Sequence, residues 1–97
     1  MLTLESPLKV LVIYFSPETF QASLMIANEL RLRGIATFFY PENVKLDKQL
    51  KYADKKNIPY VVVIGNDELE KGEAVLKDMK NRTQQTYPLS ELPSFIS

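Results

Sequence analysis

From Lys45 to Gly65 a lysine-rich segment with helical apolar spacing passes through a short stop signal into Tyr60-Val61-Val62-Val63-Ile64, a run with no polar break. A strand that is apolar at every position needs burial on both faces, whereas the helix before it keeps one charged side in water. That junction restricts the chain to an α/β arrangement, with helices covering a largely parallel sheet. The same pattern occurs upstream. Lys9 to Phe15 is another unbroken apolar run of strand length, followed by Ser16-Pro17-Glu18, which offers an N-cap, a proline at the first helical position and an acid in the first turn.

The spacing predicts a helix from about Pro17 to Arg33, with Phe20, Leu24 and Ala27 on its apolar side, Ile26 and Leu30 beside them, and Gly34 as its C-cap. Met25 and Leu32 widen the apolar arc beyond what one sheet contact uses. Ile35 to Tyr40 reads as a second strand, ended by Pro41. A helix through Leu46, Leu50 and Ala53 follows, capped by Asn43 and ended by Asn57 and Pro59. Strand, helix, strand, helix, strand with short links implies parallel strands joined by right-handed crossovers. After Gly65 the sequence predicts a short helix over Asn66 to Lys71 ended by Gly72. An antiparallel hairpin of Glu73 to Met79 and Thr83 to Tyr87 comes next, with Asn81 at positive φ, then a brief last helix capped by Ser90.

A chain of 97 residues buries one modest core, so residues 1–8 read as a lead-in and 9–97 as a single domain. Hydrophobic residues at 45% and charged residues at 25% place it well inside the folded class. With no cysteine and no histidine, thiolate and imidazole chemistry, disulfides and the usual zinc ligands are all excluded. No apolar run approaches the roughly 20 residues that a membrane span needs, and the first residues lack the pattern of a secretory signal, so no membrane partner and a cytoplasmic setting are expected. Lysine plus arginine and aspartate plus glutamate both number 12, a balance unlike that of a typical phosphate binder. The neutrality conceals a separation. Lys45 to Lys56 holds five lysines against Asp47 and Asp54, whereas Asn66 to Glu73 holds four acids against Lys71 alone, so a local basic surface is compatible with zero net charge.

No catalytic arrangement emerges. The serines have no histidine to activate them, although a lysine base stays open. Three glycines, Gly34, Gly65 and Gly72, form neither a phosphate loop nor a dinucleotide fingerprint, and the acids after Gly65 lack calcium-loop spacing. Metal ligands and a cofactor site are therefore not expected in this chain. Ligands of open parallel sheets gather beyond the carboxyl ends of the strands. The loops expected there carry Phe15, Glu18, Tyr40, Asn43, Lys45, Lys48 and Gln49, a set of rings, amides and ammonium groups suited to unpaired RNA. A plainer reading has the two rings finishing the core, Glu18 and Asn43 serving as helix caps, and the lysines solvating a helix face. Lys51, Lys55 and Lys56 are assigned to solubility and to the helix dipole.

The wording K-L-x-K-Q-x-x-x-A-D-K-x-x-I-P-Y-x-V-x-x-G from Lys45 to Gly65 resembles the C-terminal anticodon-binding domain of class II aminoacyl-tRNA synthetases, and within that group the histidyl branch. Ala27-Asn28-Glu29-Leu30-Arg31, Asp67-Glu68-Leu69-Glu70-Lys71-Gly72, Val75-Leu76-Lys77-Asp78-Met79 and Gln84-Gln85 continue the resemblance in order. It implies a mixed five-stranded sheet, three parallel strands plus a C-terminal antiparallel hairpin, packed by about three to four helices. It also implies recognition of the anticodon loop of histidine tRNA, with Phe15 and Tyr40 stacking, Glu18, Asn43 and Gln49 reading base edges, and Lys45 and Lys48 holding phosphates. Histidylation, with ATP and Mg, would then belong to a separate catalytic domain of the parent synthetase, and the resemblance leaves room for a homodimer of that parent. The family often carries a glycine in the hairpin where Asn81-Arg82 stand, and a small or basic residue in place of Asp47. A free-standing paralogue acting as a tRNA sensor, or as an interaction or dimerisation module, is the alternative.

Overall fold

The computed structural model describes residues 8–14, 16–39 and 46–96. Val10–Tyr14 forms β1, Pro17–Leu32 α1, Thr37–Phe39 β2, Leu46–Lys55 α2 and Tyr60–Ile64 β3. Asn66–Lys71 forms α3, Glu73–Asp78 β4, Thr83–Pro88 β5, and Leu92–Phe95 a single 3-10 turn. The five strands make one sheet in the order β2-β1-β3-β4-β5. β1 pairs in parallel with β2, Val10 opposite Thr37, and with β3, Val10 opposite Tyr60. The hairpin extends the sheet on the β3 side, with β3–β4 and β4–β5 both antiparallel. The expected mixed five-stranded sheet is thus present.

Because β1 lies between β2 and β3, inside the sheet, its residues are buried alternately on two faces. Val10 and Val12 face α1, where Ile26, Ala27 and Leu30 meet Val62, Ile64, Ala74, Leu76, Leu92 and Ile96. Leu11 and Ile13 face α2, where Ala53, Ile58, Val61 and Val63 complete a second cluster. The two clusters explain why β1 and β3 tolerate no polar residue: each side chain of the strand enters one of two dry layers.

The termini of the elements follow local chemistry. Ser16 stands at the N-cap of α1 in extended backbone. Its N–H donates to Thr19 Oγ1 at 3.3 Å, and the Thr19 hydroxyl donates to the Ser16 carbonyl at 3.2 Å. Gly34, at φ 82°, turns the chain out of α1, and Ile35 N–H reaches back to the Leu30 carbonyl at 3.0 Å. Asn57, at φ 58°, does the same after α2, with Ile58 N–H on the Ala53 carbonyl at 2.9 Å.

Three expectations differ from what is found. The buried stripe of α1 is Thr19, Ser23, Ile26, Ala27 and Leu30, while Phe20 is 39% exposed. Ser23 is small enough to let α1 approach β1 closely, and its hydroxyl donates to the Ile13 carbonyl at 3.4 Å. In the hairpin turn the residue at positive φ is Arg82, at 58°, and not Asn81. Asn81 is held instead by Asp78, whose Oδ1 accepts the Lys80 and Asn81 N–H groups at 3.1 and 3.0 Å and whose Oδ2 accepts the Asn81 side-chain amide at 2.8 Å. The last helix is the 3-10 turn with Glu91 at its N-cap, one residue beyond Ser90. Its Leu92 and Pro93 are drawn into the core, which shifts the start.

Candidate nucleic-acid interface

The parallel order of β2, β1 and β3 brings their carboxyl ends to one edge of the sheet, and each connection then leads into a helix. Two of those connections touch. The Ser16 hydroxyl donates to Asn66 Oδ1 at 3.3 Å, tying the loop after β1 to the start of α3. Glu18 is exposed in the first turn of α1, and Lys48 is exposed in the first turn of α2. Since α1 and α2 cover opposite faces, Glu18 and Lys48 approach this edge from its two sides.

Gln49 corrects an expectation. It is fully buried on the side of α2 that also carries Ala53, so it belongs to the packing of the helix and not to a surface that meets a base. Its neighbours Lys48 and Lys51 are both exposed, so burial changes within one turn of the helix. Phe15, Tyr40, Asn43 and Lys45 lie outside the described residues. The aromatic group that the structure does describe here was not anticipated. Tyr14 stacks on Phe39 with centroids 5.6 Å apart, and Phe20 meets both edge-on at 5.1 and 5.5 Å. Phe20 leaves part of its ring in solvent, so the carboxyl ends of β1 and β2 carry an aromatic surface of their own.

A second surface lies on the α2 face. There α2 stands over the parallel part of the sheet, and the hairpin projects beyond it, so a cleft of about 350 Å³ opens between α2 and β4–β5. Leu50 and Met79 give it an apolar floor, and Lys51, Lys77 and Arg82 give it three cations. Asp54 and Asp78 are the carboxylates at its wall. The three hydrogen bonds at the turn hold the Asp78 carboxyl below the usual carboxylate range, the backbone N–H of Asn81 contributing most. Lys77 Nζ donates across the strands to Gln84 Oε1. Lys48, Lys51 and Lys55 are all exposed and recur at i, i+3 and i+7, so one basic stripe leads along α2 from the strand edge to the cleft.

Sequence reasoning missed Lys77, Arg82 and Gln84 as candidate contacts. A signal existed in the alternation Val75, Lys77, Met79, where one charged residue interrupts the apolar positions of a single strand face. Its meaning depends on which part of the sheet α2 leaves uncovered. Among the described residues no group of three or more acids is placed to hold a metal ion, and no helix is long and apolar enough to cross a membrane.

A mixed sheet with helices on both faces, a basic helix face and a cleft carrying three cations beside its hairpin defines the class as a small α/β module with one basic side. Within that class the chain belongs to the anticodon binding domain family, whose profile matches residues 9–97. It is 42% identical over 84 residues to the histidine–tRNA ligase of Cytophaga hutchinsonii, covering 87% of this chain and 18% of the relative. With the histidine–tRNA ligase of Wolinella succinogenes it shares 44% identity over 72 residues, covering 74% of this chain and 16% of the relative. The crystal structure of histidyl-tRNA synthetase from Nostoc sp. PCC 7120 superposes with a TM-score of 0.87 at 29% identity, over 93% of this chain and 21% of that one. The apo S. aureus histidyl-tRNA synthetase gives a TM-score of 0.85 at 25% identity, over 99% of this chain and 25% of that one. The chain spans less than a fifth of the length of these two curated relatives.

Proposed function

We propose that the chain is the anticodon-binding part of a histidyl-tRNA synthetase and recognises the anticodon loop of histidine tRNA. The single observation that carries this reading is the 42% identity with a histidine–tRNA ligase across 84 residues of a domain whose family binds anticodons. On this reading Lys48, with Lys45, holds backbone phosphates at the start of α2, and the exposed Lys51 and Lys55 extend the same electrostatic track. Phe15 and Tyr40 stack on unpaired bases, while Glu18 and Asn43 take base edges. Gln49, being buried, sets the seat of α2 and thereby the position of Lys48.

No bond is made or broken in this chain. Amino-acid activation with ATP and Mg, and transfer to tRNA, belong to a catalytic domain of the same synthetase, and the setting is the cytoplasm, where translation occurs. The test is a binding titration of the full chain with histidine tRNA and with the same tRNA carrying a swapped anticodon. Tighter binding of the unaltered tRNA, by roughly tenfold or more, is expected. Equal binding of the two would reduce the interaction to charge and remove base recognition.

A second reading, as an interaction or dimerisation module, draws on one observation: Met25 and Leu32 on α1 are 62% and 83% exposed. Light scattering that shows a dimer, abolished by Leu32→Lys, would favour it.

A further inference from the structure

β5 is the edge of the sheet on the hairpin side, and its interior carries none of the usual devices against a further strand. Edge strands of monomeric proteins are shortened, bulged or charged so that their open backbone groups do not pair with another chain. β5 runs for 6 residues, Thr-Gln-Gln-Thr-Tyr-Pro, without a charged side chain, and it matches β4 one to one, so it holds no bulge. All of it but Tyr87 is exposed. The opposite edge, β2, is described over only 3 residues. Which groups of β5 are open follows from the ladder. Leu89 N–H donates to the Gly72 carbonyl at 2.8 Å, and on the other side of β4 Met79 N–H donates to the Pro59 carbonyl at 2.8 Å. Hydrogen-bonded and non-hydrogen-bonded pairs alternate along an antiparallel ladder, so Thr83, Gln85 and Tyr87 direct their N–H and C=O groups to β4, whereas Gln84 and Thr86 turn theirs outward. Pro88 also faces outward and has no N–H to offer.

From this edge we infer that two copies of the chain pair through β5, antiparallel, about a two-fold axis at Gln85. An axis relating neighbouring antiparallel strands stands perpendicular to the sheet, so residues directly opposite each other lie an even number of positions apart. Gln85 opposite its own copy is the register that serves every open group: Gln84 and the partner's Thr86 exchange both N–H···O=C bonds, and the symmetric pair does the same. Centring on Gln84 sets the partner's Thr86 against Arg82, which lies outside β5 at positive φ. Centring on Thr86 sets Gln84 against the partner's Pro88, whose missing N–H leaves a carbonyl without a donor. The side chains agree with the axis at Gln85. On the α1 side, where Gln85 stands beside Leu76, the two Gln85 amides meet, and an amide both donates and accepts, so it is complementary to itself. On the α2 side Lys77 takes the Gln84 carbonyl oxygen, leaving the NH2 group for the hydroxyl of the partner's Thr86. A neutral, amide-rich strand offers nothing to a charged peptide, while an identical strand answers it position by position, which commits the edge to a second copy. Once the two are joined, the free edges are the short β2 strands, so the assembly closes at two copies. The surface is separate from the exposed side of α1 and from the lysines of α2, and the inference rests on neither reading of those elements.

Light scattering on the full chain, over a concentration series reaching about 1 mM, tests it: the mass rises from that of one chain to that of two. Hydrogen exchange followed by NMR reads the register. The Gln84 and Thr86 amides should slow as concentration rises, whereas the Gln85 amide, bonded to β4, is protected throughout. Gln85→Lys and Gln85→Glu each set like charges opposite one another on the axis and should weaken the dimer roughly fivefold or more, and an equimolar mixture of the two variants should regain it. Thr86→Pro removes an outward N–H without touching the β4 ladder and should leave a single chain. Melting close to that of the parent shows that each variant is folded, and if Thr86→Pro melts early the two Gln85 variants decide. Leu32→Lys, on α1, should leave this dimer intact. The mass of one chain at every concentration overturns the inference. So does a dimer that survives the Gln85 variants, a mixture that does not regain the mass, or a dimer that Leu32→Lys dissolves. None of these outcomes bears on the tRNA titration, so the two readings fail separately.

Discussion

Individual side chains in this domain are read correctly from their neighbours only when the fold leaves those neighbours equivalent. Lys48 and Gln49 are adjacent in the first turns of α2, yet one is exposed and the other fully buried. A helix turns about 100° per residue, so adjacent side chains cannot share a face. Replacing Lys48 by glutamate should weaken tRNA binding and lower the slope of log affinity against log salt by about 1, because one phosphate contact is lost. Unchanged affinity and slope would take Lys48 out of the interface. Asp78 shows the same dependence on context at the hairpin turn. Its folded-state pKa is depressed by hydrogen bonds, so its contribution to stability is present above the unfolded value of about 3.9 and is lost as pH falls through the folded value. Melting of the parent and of Asp78→Asn should accordingly differ at neutral pH and converge in acid. A difference that persists well below the folded pKa would show that the carboxylate charge is not the cause.

At the scale of elements, composition and local punctuation located the strands and helices to within a residue or two. Pro17 and Gly34 bound α1, Asn57 and Pro59 end α2, and Gly72 ends α3, each because a backbone group needs a cap or a dihedral that few residues provide. The face of α1 was less legible. Thr19 and Ser23 are polar by composition and fully buried in fact, because their hydroxyls satisfy themselves on nearby backbone carbonyls and their small size permits a close approach to β1. Thr19→Val keeps the shape and removes the reciprocal bond with Ser16. It should cost about 1 kcal/mol in urea denaturation. A neutral result would assign the start of α1 to Pro17 and to packing.

For the whole molecule, stability comes from two apolar layers sharing one sheet, with β1 and β3 contributing to both. Leu30→Ala, fully buried in the α1 layer, is expected to cost about 2 to 5 kcal/mol, and the two layers should still unfold in one transition by fluorescence and by circular dichroism. Separate transitions would mean that the layers are energetically independent. Unbroken apolar runs, caps and stop signals were enough to determine the elements, the α/β class and the presence of a basic helix, since burial on both faces and helix termination are local demands on residue type. Strand order, the burial of Gln49, the aromatic group of Tyr14, Phe20 and Phe39, and the cleft that unites Lys51, Lys77, Arg82 and Gln84 were settled only by tertiary structure. The reason is geometric: a helix covers part of a sheet, and what is left bare depends on where the remaining strands are added, which no spacing within one segment encodes.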